Sequence, residues 1–366
     1  MSILIFIVIL LVLVLVHEFG HFFTAKRFGI RVDEFGFGFP PKLFSRKYGE
    51  TEYSFNLFPL GGFVKIFGEN PDEENTNGPN SGRSFINKPK WKQAIVLFAG
   101  IFANFLLAWL LFSFTFMSGF PTSVGAEAPG AKLTDVHLVI TSVADKSPAQ
   151  IAGFEPGDKI ISVQSGKDNL SEINTDTLKS FVLAHGIEII KIGYLRGENT
   201  AENFIKVIPQ INVDNGAPMI GISIDEIGIE KMPVLRAFKE GMIFNLSVAQ
   251  NTFSGLYTLI KEAILGRGSL ESITGPVGLV GIVGDVSHLG FAYLISFTGL
   301  ISVNLAIINL IPFPALDGGR LLFLLIEKIK GSRINPKITN TVNTIGFAIL
   351  IIFMIIVTYH DIIKLR

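Results

Sequence analysis

Cysteine is absent from the 366-residue chain, and charged residues are scarce. Without cysteine the chain can form neither disulfide bonds nor thiolate metal sites, which leaves histidine, aspartate and glutamate as possible metal ligands. Charged residues make up 17% of the chain, whereas about 25% is usual in soluble domains. The 31 basic residues balance 31 acidic ones, so the chain lacks the basic surplus of a nucleic-acid-binding protein. These shortages argue against an ordinary soluble enzyme and against nucleic acid as a partner.

Hydrophobic residues, by contrast, make up 49% of the chain, which is far too apolar for a disordered protein. They cluster in runs, and about 20 apolar helical residues are needed to cross the hydrocarbon core of a bilayer. Four runs reach this length, at residues 3–25, 94–120, 291–311 and 342–359. A fifth run, 241–260, lacks charge but contains amides and hydroxyls. We interpret it as an interfacial or packed helix.

Basic residues after the first run predict its orientation. Only Met1 and Ser2 precede the run, whereas a cleaved signal peptide begins with a basic segment. Lys26, Arg27 and Arg31 follow it, so the positive-inside rule places the N-terminus outside and the next segment in the cytoplasm. Four spans would return the C-terminus to the outside.

Residues 121–235 have the composition of a soluble domain. Strand-like runs at 137–143 and 159–163 are separated by turn signals rich in glycine, proline and aspartate. The predicted topology makes this insert extracytoplasmic.

The first apolar run contains a His-Glu-x-x-His motif formed by His17, Glu18 and His21. On a helix, residues i and i+4 share one face, so both imidazoles can bind one metal ion. Glu18 lies beside them and can take a proton from a metal-bound water. The alternative is a pair of interfacial histidines at a helix end, but ionisable residues within an apolar span indicate function.

A catalytic zinc ion needs a third protein ligand and one open position. Asp317 is the better candidate, because it follows the third apolar run where Pro312 and Pro314 interrupt the helix and Gly318 permits a tight turn. A loop aspartate that caps the next helix is the alternative. The other candidates are histidines in or beside the insert and at the far end of the chain: His137, His185, His288 and His360.

The depth of the two motifs provides a consistency test. His17 and His21 lie toward the cytoplasmic end of the first run. If residues 241–260 do not cross, the third run passes inward and Asp317 lies at the same depth. If they did cross, the two motifs would lie on opposite sides. A shared metal site therefore predicts four spans.

The two motifs together resemble those of the site-2 protease family of intramembrane zinc metalloproteases. The extracytoplasmic insert makes the arrangement similar to the bacterial regulator of sigma-E protease group. Further matching segments are residues 36–38, 59–65, 275–278 and 301–305. The resemblance implies that His17, His21 and Asp317 bind one Zn²⁺ ion and that Glu18 is the catalytic base.

Residues 147–160 resemble the signature of bacterial protease PDZ domains, and the insert is long enough for one such domain. In the family these domains are thought to screen substrates by size. A structural insert that binds no peptide is the alternative.

Residues 52–58 alternate polar and apolar, which predicts a strand. The family places a β-hairpin-like element here, dipping into the membrane, where a strand edge could hold an unwound substrate by β-augmentation. An ordinary cytoplasmic hairpin is the alternative. Asn304 and Asn309 could bond the substrate or could instead join helices. The candidate substrate-binding residues are Asn304, Asn309, Pro312, Pro314, Leu60, Gly61 and Gly62.

The predicted fold is a polytopic α-helical membrane protein with about four transmembrane helices, a membrane-associated β-hairpin region and an inserted extracytoplasmic PDZ domain of the α+β class. The predicted segments are a first transmembrane helix (1–34), a β region and loop (35–93), a second transmembrane helix (94–120), the PDZ domain (121–231), an amphipathic connector (232–288), a third transmembrane helix with the following segment (289–330), and a fourth with the C-terminus (331–366).

The predicted function is zinc-dependent proteolysis in the bacterial inner membrane. The expected partners are the lipid bilayer and single-span proteins already trimmed outside the membrane, such as anti-sigma factors or signal-peptide remnants. A non-catalytic scaffold that binds extracytoplasmic tails through the PDZ domain is the alternative, although an intact Glu18 argues against it. An ion-carrying transporter is disfavoured because no half of the chain is repeated.

Overall fold

The computed structural model describes residues 2–70, 73–197, 201–211, 216–266 and 273–364. The chain divides into two compact units. The helical unit comprises Met1–Leu110, Ile243–Val280 and Thr298–Arg366, and the insert unit comprises Leu111–Met242 and Gly281–Phe297.

Ten α-helices and eleven strands lie within these described ranges. The helices are α1 Ser2–Arg27, α2 Glu73–Asn77, α3 Lys90–Ser118, α4 Pro148–Ala152, α5 Thr175–His185, α6 Val234–Ile264, α7 Pro276–Leu289, α8 Phe291–Leu310, α9 Asp317–Lys330 and α10 Pro336–Lys364. The strands are β1 Val32–Tyr48, β2 Thr51–Ile66, β3 Phe120–Ser123, β4 Leu133–Val143, β5 Lys159–Ser165, β6 Asp168–Asn169, β7 Ile190–Leu195, β8 Asn203–Val207, β9 Gln210–Ile211, β10 Pro218–Met219 and β11 Ile222–Glu230.

Among the described residues, four helices are long and apolar enough to cross a membrane: α1, α3, α8 and α10. They coincide with the four predicted apolar runs. Helix α8 ends at Leu310, shortly before Pro312, which cannot continue a helix. Helix α10 begins at Pro336, where the fixed backbone angle of proline suits a first helical turn.

Helix α6 contains the fifth apolar run and is not one of these four. Its polar residues bond to membrane-length helices: Asn245 donates to the Phe105 carbonyl at 3.2 Å, and Thr252 donates to Asn304 Oδ1 at 2.7 Å. The part of α6 in the helical unit is therefore packed against α3 and α8.

Strands β1 and β2 fold into a sheet in which two segments, 34–37 and 52–55, are paired on both sides. Residues 34–37 pair with 52–55 and also with 62–65, while 42–48 pair with 51–56. The strand predicted at 52–58 lies in this sheet. Among the described strands, the segment 62–65 has no partner on its other side, so it forms a free edge.

The insert unit contains a sheet with the strand order β3-β11-β4-β5-β7-β8, and β6 pairs with β5. The predicted strands at 137–143 and 159–163 lie in β4 and β5. Asp158 is buried at the start of β5 and receives two hydrogen bonds of 2.7 Å from Arg196. The core of the insert consists of residues from the sheet, α4, α5 and the adjoining turns: Leu138, Ile140, Ala149, Phe154, Ile160, Val163, Leu178, Phe181, Val182, Ile190, Ile192, Tyr194, Val207 and Ile220.

Candidate metal centre

His17 and His21 lie one helical turn apart on α1, with their Nε2 atoms 3.2 Å apart. Both side chains are largely enclosed, since His21 is 7% exposed and the side chain of His17 is 12% exposed. Because both residues are on the same face of the helix, the two rings converge on one point.

Asp317 is the first residue of α9, so it follows the irregular turn after α8. A Cβ on Gly318 would overlap the carbonyl of Ile311, and one on Gly319 would overlap that of Phe313. The backbone of Ala315 in this turn has a φ angle of 74°, and its N–H donates to the side chain of an α10 asparagine. The tight turn therefore needs both glycines, and it sets Asp317 against the histidines of α1.

The three candidate ligands form a nearly regular triangle. Asp317 Oδ2 lies 3.1 Å from His17 Nε2 and 3.2 Å from His21 Nε2. Ligands in a tetrahedral zinc site with bonds of about 2.0–2.1 Å are about 3.3 Å apart. The buried Asp317 Oδ2 has no hydrogen-bond partner among the described residues, and two imidazole nitrogens and a carboxylate oxygen in contact favour a bound cation. The arrangement fits three protein ligands of a zinc ion with the fourth position open.

Glu18 and the three candidate ligands line one cavity of about 560 Å³ in the helical unit. Arg320 of α9 lines the same cavity and forms an ion pair with Glu69, which follows β2. Glu18 therefore shares a cavity with the three candidate ligands, where a catalytic base for a metal-bound water would have to lie. A general base must be within hydrogen-bond reach of the water that it deprotonates.

Helix α3 leaves room for the imidazole of His21 and offers it a hydrogen-bond acceptor. A Cβ on Gly100 would overlap the imidazole of His21, and one on Gly20 would overlap the backbone at Ala99. His21 Nδ1 lies 2.8 Å from the carbonyl oxygen of Val96. When Nε2 binds a metal, Nδ1 carries the proton and donates to this carbonyl. The roles of Val96 and Gly100 depend on the packing of α1 against α3, which no local sequence pattern reveals.

The free edge of β2 lies in the same cavity, which Gly61, Gly62 and residues up to Ile66 line. A Cβ on Gly62 would lie 3.2 Å from a methyl group of Val14 and 3.5 Å from Cγ of Glu18. Glycine thus lets this strand approach α1 closely, next to the candidate base.

The other candidate substrate-binding residues differ in whether they line the cavity. Asn309 lines the cavity, whereas Asn304, Pro312 and Pro314 do not. Asn304 accepts the hydrogen bond from Thr252 instead, so its side chain joins α8 to α6. The backbone of Leu60 belongs to β2, but its side chain lies outside the described part of the structure.

Comparison with known proteins identifies the family. The model of peptidase family M50 matches residues 5–353, which is nearly the whole chain. The chain therefore belongs to peptidase family M50, the site-2 protease family. The resemblance to this family that the two motifs predicted is confirmed.

Named relatives give the activity. A protein of Clostridium perfringens named as a zinc metalloprotease is 34% identical over 353 residues, covering 96% of this chain and 95% of the relative. A Fusobacterium nucleatum protein with the same designation is 33% identical and covers 100% of this chain and 99% of its own.

The zinc metalloprotease RasP of Shouchella clausii is 30% identical over an alignment of 444 positions, with 100% of this chain and 99% of the relative covered. The chain is thus a zinc metalloprotease with Zn²⁺ as its cofactor. Its apolar helices and this family make it a multi-pass membrane protein.

Proposed function

We propose that the protein hydrolyses peptide bonds within or near membrane-spanning segments of single-span proteins. One observation carries the proposal: the triangle of His17, His21 and Asp317, with ligand distances of 3.1–3.2 Å, lies on and beside α1, a helix of membrane-spanning length. A hydrolytic site on such a helix lies in the membrane, so the peptide bond that it cleaves must reach it there.

The chemistry follows from the side chains. His17, His21 and Asp317 would hold the zinc ion, which would supply Lewis acidity to a water and to the scissile carbonyl. Glu18 takes the proton of the attacking water and delivers it to the leaving amine. Asn309, which lines the cavity, is a candidate donor to the substrate backbone.

The free edge of β2 supports a role in holding the substrate. A transmembrane helix satisfies its own backbone hydrogen bonds, so the substrate must unwind before a peptide bond can reach Glu18. An unwound segment can pair with residues 62–66 by β-augmentation, because they line the cavity and no described strand pairs with them on that side.

The insert unit has a groove that could bind a peptide separately from the metal centre. A cavity of about 570 Å³ lies between α5 and β11, lined mainly by apolar side chains such as Leu178 and Leu183. Among the described strands, β11 pairs with β3 at residues 227–230, which leaves 222–225 without a partner on that side, and residues 222–224 line this cavity. A PDZ-like groove is our proposal for this unit, consistent with the signature at 147–160.

We further infer that both termini and the insert are extracytoplasmic, that the metal centre faces the cytoplasmic side, and that the membrane is the bacterial inner membrane. The charge bias after α1 supports this orientation. The substrate class that fits it is a protein first trimmed outside the membrane, such as an anti-sigma factor or a signal-peptide remnant. We also propose the segment boundaries given above, from the first transmembrane helix at 1–34 to the last at 331–366, on the basis of the apolar runs and the polar insert.

The decisive experiment compares purified Glu18→Gln and Asp317→Asn proteins with the parent on a single-span model substrate. Glu18→Gln should abolish cleavage while zinc content stays at the parental level, because Glu18 is not one of the three ligands. Asp317→Asn should abolish cleavage and lower the zinc content. Cleavage retained by Glu18→Gln would overturn the proposal, and parental zinc binding by Asp317→Asn would remove Asp317 from the ligand set. A non-catalytic scaffold would cleave in none of the three forms.

A further inference from the structure

Asn104 is a buried amide within α3, a helix of membrane-spanning length, and the proposed chemistry gives it no role. It is 1% exposed and lines the cavity of the metal centre. Its Oδ1 atom is buried and has no hydrogen-bond partner among the described residues. Leaving a buried carbonyl oxygen without a hydrogen bond is unfavourable, and the contacts around Asn104 indicate where its partner lies.

The nearest ring is that of His17. Asn104 Nδ2 lies 3.5 Å from His17 Nδ1, so a donor group faces this ring nitrogen. His17 Nε2, in contrast, faces His21 Nε2 and Asp317 Oδ2.

The position of the imidazole proton decides the direction of this contact. When Nε2 of a neutral histidine binds a metal ion, the proton is on Nδ1 and must be donated to an acceptor. An amide nitrogen cannot accept it. The oxygen and nitrogen of an asparagine amide are nearly indistinguishable in shape, and a half-turn of the group exchanges them. That half-turn brings the unpaired Oδ1 of Asn104 to face His17 Nδ1.

We propose that Asn104 is a positioning residue of the metal centre, whose Oδ1 accepts a hydrogen bond from Nδ1–H of His17 and holds Nε2 toward the zinc ion. The proposal rests on the metal site proposed above. The orphaned oxygen then gains a donor and the ring proton gains an acceptor, while the amide nitrogen takes the buried position that Oδ1 leaves.

The periodicity of the two helices supports this assignment. His17 and His21 are one turn apart on α1, and the partners on α3 also recur at intervals of one turn. The carbonyl of Val96 faces His21 Nδ1, Gly100 makes room for the His21 ring, and Asn104 faces His17. Each histidine thus has one acceptor on α3: a backbone carbonyl for His21 and an amide side chain for His17.

Helix α8 fixes the backbone at this point. Ser302 Oγ donates to the carbonyl oxygen of Asn104 at 2.8 Å, and this contact is buried. The side chain of Asn104 is therefore held at a defined height beside His17, as a positioning residue requires.

The test uses the full-length protein in detergent, with Asn104→Leu, Asn104→Asp and the control Asn245→Leu. Asn245 is also buried, is bonded to α3 through the Phe105 carbonyl, and does not line the cavity. Competition with a chelator gives the zinc affinity. Loss of a residue that orients a metal ligand typically costs 10- to 100-fold in affinity, and we expect this loss for Asn104→Leu. Asn104→Asp keeps an acceptor and should stay within a few fold of the parent, as should Asn245→Leu.

A second readout follows the ring proton itself. In the Co²⁺-substituted protein, the Nδ1–H protons of coordinated imidazoles are shifted outside the ordinary proton spectrum. The parent should show two slowly exchanging signals, and Asn104→Leu should lose or broaden one while the signal of His21 persists.

Three results would overturn the assignment. Parental zinc affinity in Asn104→Leu, an equal loss in Asn245→Leu, or two unchanged Nδ1–H signals would each exclude a specific bond to His17. If the parent bound no zinc, the proposed metal site would fail and this inference with it. Zinc binding and cleavage by the parent with an unaffected Asn104→Leu would overturn the role of Asn104 alone.

Discussion

The imidazole of His21 occupies the space that a side chain at position 100 would fill. A Cβ on Gly100 would overlap Nε2 and the two neighbouring carbons of that ring. Gly100→Ala should therefore displace His21 from the metal centre. Forcing an extra methyl group into a packed site costs about 1–3 kcal/mol, which corresponds to roughly a 5- to 150-fold loss of zinc affinity. Chelator competition on the purified protein measures this change.

The matched control for this variant is Gly255→Ala. Gly255 is a helical glycine of α6, and a Cβ there would meet no atom within 4 Å. Alanine also favours a helix by up to about 1 kcal/mol over glycine, so this variant should fold at least as well and bind zinc normally. Equal zinc affinities in the two variants would contradict the packing argument.

The ion pair between Glu69 and Arg320 joins the end of β2 to the helix that begins with Asp317. If it holds the strand edge in register with the metal centre, Glu69→Gln and Arg320→Gln should each lower kcat/KM, and the double variant should be little worse than either. Coupling between residues in contact is typically about 0.5–3 kcal/mol. We expect at least about 1 kcal/mol here, which is roughly fivefold in kcat/KM.

Glu327 provides the comparison for this cycle. It lies on α9, as Arg320 does, and forms an ion pair with Lys90 instead of taking part in the pair between Glu69 and Arg320. Glu69→Gln and Glu327→Gln should therefore combine additively. If the effects of Glu69→Gln and Arg320→Gln were also additive, the pair would not act as a unit.

The groove of the insert can be tested at Leu183, which lines the cavity between α5 and β11 and is 47% exposed. Leu183→Glu places a charge in an apolar groove, where desolvation opposes it, and exposure lets the fold tolerate the change. A fluorescein-labelled decapeptide of alternating apolar and polar residues is the probe. Its affinity should fall at least about tenfold in Leu183→Glu, as measured by fluorescence anisotropy.

Ile187→Glu is the control for the groove. Ile187 is 73% exposed and does not line the cavity, so the same charge there should leave peptide affinity unchanged. Equal effects at both positions, or no binding by the parent protein, would exclude a peptide-binding groove in this unit.

The features predicted from sequence are those that depend on local pattern. The apolar lengths of α1, α3, α8 and α10 fix four spans, and the spacing of His17 and His21 fixes their common face. The boundaries are less predictable, because polar first turns are invisible to hydropathy. Helix α10 begins at Pro336, whereas the apolar run begins at residue 342, and the intervening turn carries Lys337 and Asn340.

The contacts that α3 makes with the metal centre were not predicted, because they depend on how α1 and α3 pack together. No local pattern distinguishes Gly100 from a glycine in any other apolar helix. Asn104 offered a clue, since it is an amide within a predicted span, where polar residues indicate function. Its relation to His17, however, depends on how α1 and α3 lie side by side. Likewise, the double pairing of residues 34–37 arises from long-range register that alternation cannot reveal.

The free edge of β2 has a consequence for selectivity. Strand pairing recognises the repeating amide and carbonyl groups of the main chain, and these are the same in every polypeptide. A protease that holds its substrate in this way would be indifferent to most of the side chains it meets. Its choice of target would then depend on which membrane segments can unwind and which are delivered to the site, so that selection precedes contact with Glu18.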